Sequence, residues 1–127
     1  MTLRDVIAIV GGTPVSAHAD LDLPVSTIFA ADLMSDVLAF AAPDAVLATA
    51  LCNPQVLRAA RMADCKAVVV VGGKLPTPEM AALADELGIP LARTTLSMVE
   101  LCGRLYTAMN RPSAAGVQSE SGRLCQA

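Results

Sequence analysis

Two short apolar runs with a helical segment between them dominate the hydrophobic pattern of this chain. The runs cover residues 45–51 and 67–71 and do not alternate with polar residues, which is typical of strands buried on both faces of a parallel sheet. Asn53 and Pro54 predict a helix start between them, because Asn caps free amides and Pro suits the first helical position. The segment 44–74 therefore predicts a βαβ unit. Its helix is expected to bury Val56, Leu57, Ala60 and Met62 and to expose Arg58 and Arg61.

A short helix is predicted at the start of the chain. Thr2 and Asp5 form a capping pattern ahead of residues 3–10, whose apolar positions share one helical face. Gly11 and Gly12 follow as the stop signal.

The next segment predicts two short strands and a second helix. Residues 13–17 fit an edge strand and residues 25–30 a second strand, which together give an antiparallel or mixed corner of the sheet. Asp32 is predicted to cap the helix that follows. The apolar positions of that helix are Leu33, Met34, Val37, Leu38 and Phe40.

Two further helices follow the βαβ unit. Thr77 and Pro78 predict the start of the first, Gly88 its end, and residues 89–93 a strand after it. Its apolar stripe is Met80, Leu83 and Leu87. A capping box of Ser97 and Glu100 opens the last helix, whose apolar face is Met98, Leu101, Cys102, Leu105 and Met109.

These elements predict an α/β fold, a layered α/β/α sandwich with a mostly parallel sheet of about five strands that is mixed at one edge. One domain is expected over residues 1–110. Residues 111–127 contain Pro, Gly and Ser breakers and little apolar spacing, which predicts a flexible C-terminal tail.

Composition narrows the class of protein. Hydrophobic residues make up 54% of the chain and charged residues 17%, which is typical of buried parallel strands or of apolar surface buried in an oligomer. The net charge of −3, the absence of Trp and the three remaining aromatic rings argue against nucleic-acid binding. No apolar run approaches the roughly 20 residues of a membrane span, and no signal-peptide pattern opens the chain. A cytoplasmic protein is expected.

The four cysteines and one histidine do not form a metal motif. Cys52, Cys65, Cys102 and Cys125 include no CxxC pair, and His18 is distant from all of them in sequence. The pattern predicts reduced, mostly buried thiols, with no metal and no cofactor.

The turn Gly72, Gly73, Lys74 is the first candidate binding site. Glycines after a buried strand can present backbone amides to an anion, and a lysine adds positive charge. The phosphate-loop and dinucleotide fingerprints are absent from it. The alternative is that the glycines relieve a tight connection and that Lys74 is solvated.

Three further groups follow neighbouring strands. Cys52 and Asn53 precede a helix, where a thiol can become nucleophilic. No partner base is evident in the sequence, which favours a buried, inert Cys52. Asp32, Ser35 and Asp36 offer paired acids, or plain helix capping. Thr94 and Thr95, with Arg93, complete a polar rim at the same end of the sheet.

Over residues 3–109 the chain resembles the DRTGG domain family. The resemblance lies in the strand and helix over residues 25–40, the Asn53-Pro54 helix start, the strand ending at Gly72-Gly73, the helix PxxMxxLA after it and the strand that contains Ile89-Pro90-Leu91. Val71 stands where the family has Thr, and Asn53-Pro54 where it has Asp-Arg.

The resemblance implies an α/β domain similar to the N-terminal domain of HPr kinase. Such domains occur in some phosphotransacetylases and pyrophosphatases as regulatory or dimer-forming modules, and free-standing relatives are encoded beside iron hydrogenase and related redox subunits. It implies a non-catalytic regulatory or interaction module that forms a homodimer. This module would bind a small anionic, nucleotide- or phosphate-like ligand, or dock on a redox or acyl-phosphate-metabolising enzyme. The alternatives are a small transferase or hydrolase acting on a phosphorylated metabolite, and redox sensing through Cys52 or Cys125.

Overall fold

The computed structural model describes residues 1–17 and 20–110. Five helices and five strands follow one another along these residues: α1 (Leu3–Val10), β1 (Thr13–Pro14), β2 (Thr27–Ala30), α2 (Met34–Phe40), β3 (Ala45–Thr49), α3 (Gln55–Met62), β4 (Ala67–Val70), α4 (Pro78–Leu87), β5 (Leu91–Arg93) and α5 (Met98–Met109). The expected tail, Cys125 and His18 lie outside the described residues. No helix among the described residues is both long and apolar enough to cross a membrane.

The five strands form one sheet in the order β1-β5-β4-β3-β2. β2, β3, β4 and β5 run parallel to one another, whereas β1 pairs antiparallel with β5. The predicted βαβ unit is present, with Ala48 of β3 opposite Val69 of β4. The predicted fold class is therefore confirmed, including the mixed edge. The predicted corner formed by β1 and β2 together is wrong, because these two strands lie at opposite edges of the sheet.

Helices cover both faces of this sheet. Alternate side chains of the central strands point to opposite faces, so Leu47 and Val68 pack under α2, α3 and α4, whereas Val46 and Val69 pack under α1 and α5. Every residue of β3 and β4 is buried. This two-sided burial is why the strands are continuous apolar runs in the sequence.

Local capping signals place several helix ends. Thr2 and Asp5 form the predicted capping box of α1, and Ser97 with Glu100 form that of α5. The Thr77 hydroxyl accepts a hydrogen bond from the Met80 amide at the start of α4. Each device joins residues three positions apart, which lie together at a helix start whatever surrounds it.

Four residues predicted to be core positions are exposed instead. Met62 is 74% exposed, Phe40 72%, Leu33 59% and Leu38 50%. α2 is the outermost helix of its layer, with α3 as its helical neighbour, so its buried side is narrow and Val37 is its one fully buried residue. In α3 the buried side comprises Val56, Leu57, Ala59 and Ala60. Met62 points about 160° away from Ala60 around the helix axis, because two residues at about 100° each make about 200° of rotation.

The two edges of the sheet differ. The edge strand β1 covers Thr13–Pro14 and is shorter than the predicted strand over residues 13–17. Pro14 has no amide proton to donate to a further strand. β2 forms the opposite edge and pairs with β3 alone among the described strands.

Candidate functional site

All of the predicted site residues lie where the four parallel strands β2, β3, β4 and β5 end. We call this boundary of the sheet the carboxyl-terminal edge, which is distinct from the edge strands β1 and β2. Asp32 follows β2, Cys52 and Asn53 follow β3, Gly72 to Lys74 follow β4, and Thr94 and Thr95 follow β5. Ser35 is exposed in the first turn of α2.

Asp32 does not cap α2 as predicted. Leu33 occupies the N-cap position and gives no side-chain hydrogen bond. The Asp32 carboxylate instead accepts hydrogen bonds from the Thr49 hydroxyl at 3.0 Å and from the Ala50 amide at 2.8 Å. Asp32 therefore ties the end of β2 to the end of β3, where a bond to a buried hydroxyl replaces the cap.

Thr49 is a residue of this edge that the sequence reading missed. It is fully buried, donates to Asp32 and accepts a hydrogen bond from the Leu51 amide at 3.1 Å. The signal in the sequence is that Thr49 is the one polar residue within the apolar run 45–51.

The backbone amides of Gly72 and Gly73 are engaged within the protein. The Gly72 amide donates to the Leu96 carbonyl at 2.7 Å and the Gly73 amide to the Thr94 carbonyl at 2.9 Å. Both glycines adopt left-handed φ values of 78° and 74°, which glycine tolerates best. The turn is therefore a glycine-dependent connection in which both amides are already bonded to backbone carbonyls.

Lys74 and Arg93 are two cations that share this edge. The Lys74 ammonium donates to the Ala50 carbonyl at 2.9 Å, and the Arg93 guanidinium donates to the Lys74 carbonyl at 3.5 Å. Asp32 binds the amide of the same Ala50. Among the described residues neither cation has an acidic partner within 4.0 Å, so their charges are held by neutral carbonyls.

The two threonines after β5 have different environments. Thr94 is 2% exposed; its hydroxyl donates to the Val10 carbonyl at 2.7 Å and accepts from the Leu96 amide at 3.2 Å. Thr95 is exposed. Thr94 thus joins the end of α1 to the end of β5, and only Thr95 presents its side chain to solvent.

Asn53 and Cys52 lie at the start of α3. The Asn53 side-chain oxygen accepts a hydrogen bond from the Gln55 amide at 2.9 Å. Asn53 is nevertheless not the predicted N-cap of α3, because Pro54 occupies that position. Cys52 is half-buried and packs against the core under α2, α3 and α4. No hydrogen bond to the Cys52 sulfur occurs among the described residues, so no described base is positioned to activate it.

The other two described cysteines are suited to packing. Burial raises the pKa of the Cys65 thiol, with a further contribution from the Asp64 carboxylate, and burial also raises the pKa of Cys102. Raised pKa values keep both thiols protonated and unreactive. Within residues 1–17 and 20–110 no group of three His, Cys, Asp or Glu side chains could hold a metal ion.

Two surface cavities lie away from the carboxyl-terminal edge. One, of about 700 Å³, runs between α1 and α5 and is lined by Ala8 and Gly103 among others. The second, of about 480 Å³, lies at the opposite end of the strands beside Arg61 and Lys66. There Lys66 pairs with Asp44 at 3.4 Å, and Arg61 donates to the Leu87 carbonyl at 2.6 Å.

The comparison with solved structures supports the fold. No family model and no curated protein matches this sequence. Its structure is similar to the CBS and DRTGG domains of the regulatory region of Clostridium perfringens pyrophosphatase, determined in complex with the activator diadenosine tetraphosphate. The TM-score is 0.67 at 13% sequence identity, over 82% of this chain and 45% of that one. This chain therefore spans less than half of that structure, and the likeness is one of fold.

Proposed function

We propose that this chain is a non-catalytic regulatory module of the DRTGG type that self-associates and binds a small anionic ligand, nucleotide- or phosphate-like, at the carboxyl-terminal edge. The observation that carries the proposal is the pair of cations at this edge, Lys74 and Arg93, whose hydrogen-bond acceptors are neutral backbone carbonyls. The fold similarity to a regulatory region solved with a nucleotide activator supports the same class of function.

The charge argument favours an anion over a neutral ligand. A cation is attracted more strongly by an anionic oxygen than by a neutral carbonyl oxygen, because two opposite full charges then interact. A phosphate that reaches Lys74 and Arg93 would therefore replace a weaker acceptor with a stronger one. The exposed Thr95 and Ser35 hydroxyls and the Asn53 amide group lie on the same edge and supply further donors.

Regulation without catalysis fits the state of the other edge residues. Thr94 is buried and serves as a structural link, the Gly72 and Gly73 amides are bonded to carbonyls, and Cys52 packs against the core. A nucleophile needs an adjacent base or a depressed pKa, and the described residues bring no base to Cys52.

Self-association and docking on another protein complete the proposal. Eight large hydrophobic side chains are exposed on the described surface, and the exposed ones on helices are the residues that an oligomer would cover. The resemblance described above suggests a redox or acyl-phosphate-metabolising enzyme as the protein partner.

A thermal-shift experiment with matched lysine variants tests the ligand site. Orthophosphate, ATP, diadenosine tetraphosphate and acetyl phosphate are added singly to the full chain. A ligand at about ten times its Kd raises the unfolding midpoint by roughly 5 °C. Lys74→Ala is expected to abolish that shift. Lys66→Ala removes the chain's other lysine at the opposite end of the strands and should retain the shift.

Three results would contradict the proposal. If none of the four compounds shifts the midpoint, the anion site is wrong. An equal shift of the unfolding midpoint in wild type and Lys74→Ala would show that the ligand binds elsewhere on the protein. Hydrolysis of the added phosphorylated compound that is lost in Cys52→Ser would favour the enzyme alternative.

A further inference from the structure

The Asp32 carboxylate lies close to the cations of the proposed anion site. It accepts a hydrogen bond from the Ala50 amide at 2.8 Å, and the Lys74 ammonium donates to the carbonyl of the same Ala50 at 2.9 Å. Because the nitrogen and oxygen of one residue lie within about 4 Å of each other, the bonded Asp32 oxygen and the Lys74 nitrogen are less than about 10 Å apart. They are more than 4.0 Å apart, since the two side chains form no ion pair.

One of the two Asp32 carboxylate oxygens has no protein partner within the described residues. The Thr49 hydroxyl and the Ala50 amide both donate to Oδ1, and no described group donates to Oδ2. Asp32 is exposed, and none of the described cations pairs with it. The carboxylate is therefore held in place by Oδ1 and keeps Oδ2 available to a ligand.

A carboxylate with a free oxygen is unfavourable beside a site for an anion. The separation of Asp32 and Lys74 is comparable to the Debye length of about 8 Å at physiological salt, so repulsion between Asp32 and a phosphate on Lys74 is only partly screened. The link from β2 to β3 does not need this charge, because the side-chain oxygen of Asn accepts hydrogen bonds from the same donors. The negative charge of Asp32 is therefore not explained by its hydrogen bonds.

We infer that the ligand of this edge binds as its complex with Mg²⁺, with the cation between Asp32 Oδ2 and a phosphate oxygen of the ligand. Lys74 and Arg93 hold other oxygens of the same phosphate chain. Mg²⁺ is usually bound by one or two carboxylates together with phosphates, at Mg–O distances of about 2.0–2.1 Å. A carboxylate, a Mg²⁺ ion and a phosphate in succession fit the gap between Asp32 and Lys74. This inference rests on the anion site proposed above and specifies the chemical form of its ligand.

The ligand has to supply the remaining ligands of the cation. Within the part of the chain that the structure describes, no group of three His, Cys, Asp or Glu side chains could hold a metal ion. A single carboxylate therefore takes the cation only together with the ligand's phosphates and water.

These requirements favour a compound with two or more linked phosphates, such as a nucleoside triphosphate. Neighbouring phosphates can hold one Mg²⁺ between them, as they do in nucleotide-binding proteins. Their other oxygens remain free for Lys74 and Arg93. Orthophosphate offers a single phosphate for all three contacts and is expected to bind more weakly.

Calorimetric titration of the full chain tests the role of the cation. ATP and diadenosine tetraphosphate are each titrated in excess Mg²⁺ and in excess EDTA, and Mg²⁺ is also titrated alone. We expect wild type to bind the Mg²⁺ complexes at least about tenfold more tightly than the metal-free compounds. Mg²⁺ alone should give no saturable binding.

Asp32→Asn separates the charge of this residue from its hydrogen bonds. The variant keeps an oxygen for the Thr49 and Ala50 donors, and its preference for the Mg²⁺ complexes should fall below about threefold. It should also bind metal-free ATP more tightly than wild type does, because the repelling charge is gone. Glu86→Gln makes the same change at an exposed position in the last turn of α4, at the opposite end of the strands, and should behave like wild type.

A measurement on wild type makes the test independent of how the variant folds. Mn²⁺ occupies the same kind of oxygen site as Mg²⁺, and its unpaired electrons broaden the NMR signals of nearby nuclei. In the presence of ATP and Mn²⁺, the amide signals of Asp32 and Ala50 should broaden before that of Glu86. Far-UV circular dichroism of Asp32→Asn should match that of wild type.

The contrary results have different meanings. If both compounds bind equally in Mg²⁺ and in EDTA, the cation has no role and the anion site stands. An Asp32→Asn variant that keeps the full Mg²⁺ preference, or binds the Mg²⁺ complex more tightly than wild type, refutes the contact with Asp32. Saturable binding of Mg²⁺ alone means that the protein holds the cation without the ligand, which also refutes the inference. If neither compound binds under any condition, the anion site and this inference fail together.

Discussion

Thr94 and Thr95 are adjacent threonines with opposite structural roles. The Thr94 hydroxyl is buried and connects the α1 carbonyl of Val10 with the turn at Leu96, whereas Thr95 faces solvent. The Thr94 carbonyl also accepts the Gly73 amide, so this one residue links α1, β5 and the glycine turn.

Replacing Thr94 with Val should destabilise the fold. Val keeps the shape of the side chain but leaves the buried Val10 carbonyl without its hydroxyl donor, a cost of about 1–3 kcal/mol in the free energy of unfolding. Thr95→Val is the matched control and should change it by less than about 0.5 kcal/mol. Urea denaturation followed by circular dichroism measures both. Equal effects of the two substitutions would show that the Thr94 hydrogen bonds do not contribute.

The capping boxes at the starts of α1 and α5 both contribute to stability in a way that depends on pH. Backbone and side-chain hydrogen bonds from Thr2 lower the pKa of Asp5, and those from Ser97 lower the pKa of Glu100. A carboxylate with a lowered folded-state pKa stabilises the fold above its unfolded pKa, and this contribution is lost as the pH falls through the folded value.

Removing both carboxylates should therefore lower the stability of the fold at neutral pH and leave it unchanged in acid. The double variant Asp5→Asn, Glu100→Gln is expected to unfold at lower urea concentration than wild type at pH 7. The difference should shrink progressively below about pH 4, where the carboxylates of wild type become protonated. Denaturation series at several pH values check this. A difference that is independent of pH would show that charge plays no part in the caps.

The helices and strands could be predicted because their signals lie within a few residues of one another. The candidate site could be predicted less well, because its side chains bond to residues that are distant in sequence. The caps Thr2, Thr77 and Ser97 were predicted correctly because a cap bonds to residues within three positions of itself. Asp32 was predicted wrongly because its partner Thr49 lies 17 residues away. The exposure of Met62 likewise depends on how α3 faces the sheet, which its own periodicity does not determine.

The same limit applies to the glycine turn. The sequence predicts a turn at Gly72 and Gly73, and both are in left-handed conformation. The acceptors of their amides, Leu96 and Thr94, come from a segment more than 20 residues away. Composition and spacing could not reveal that these amides are already bonded.

At the scale of the whole molecule, both core layers lie within the described residues. The two hydrophobic clusters on the faces of the sheet are formed from residues between Leu3 and Met109. We therefore expect a domain over residues 1–110 to be stable without residues 111–127.

Truncation after Asn110 should leave the fold intact. We expect the shortened chain to unfold cooperatively, with a free energy of unfolding within about 0.5 kcal/mol of the full chain, because no described core residue is removed. Urea denaturation of both proteins at the same concentration makes the comparison. A loss of several kcal/mol would mean that residues 111–127 belong to the folded domain.

The two edge strands of the sheet differ in their ability to pair with a further strand. Beyond β1 the missing amide of Pro14 and the antiparallel two-residue pairing discourage any strand from joining. Beyond β2 the segment Thr27–Ala30 carries no proline and no charge, the features with which edge strands repel additional chains. Of the two edges formed by the described strands, β2 is therefore the one at which a further strand, engineered into this chain or supplied by another polypeptide, can pair. A lysine introduced in β2 would prevent a further strand from pairing with this edge.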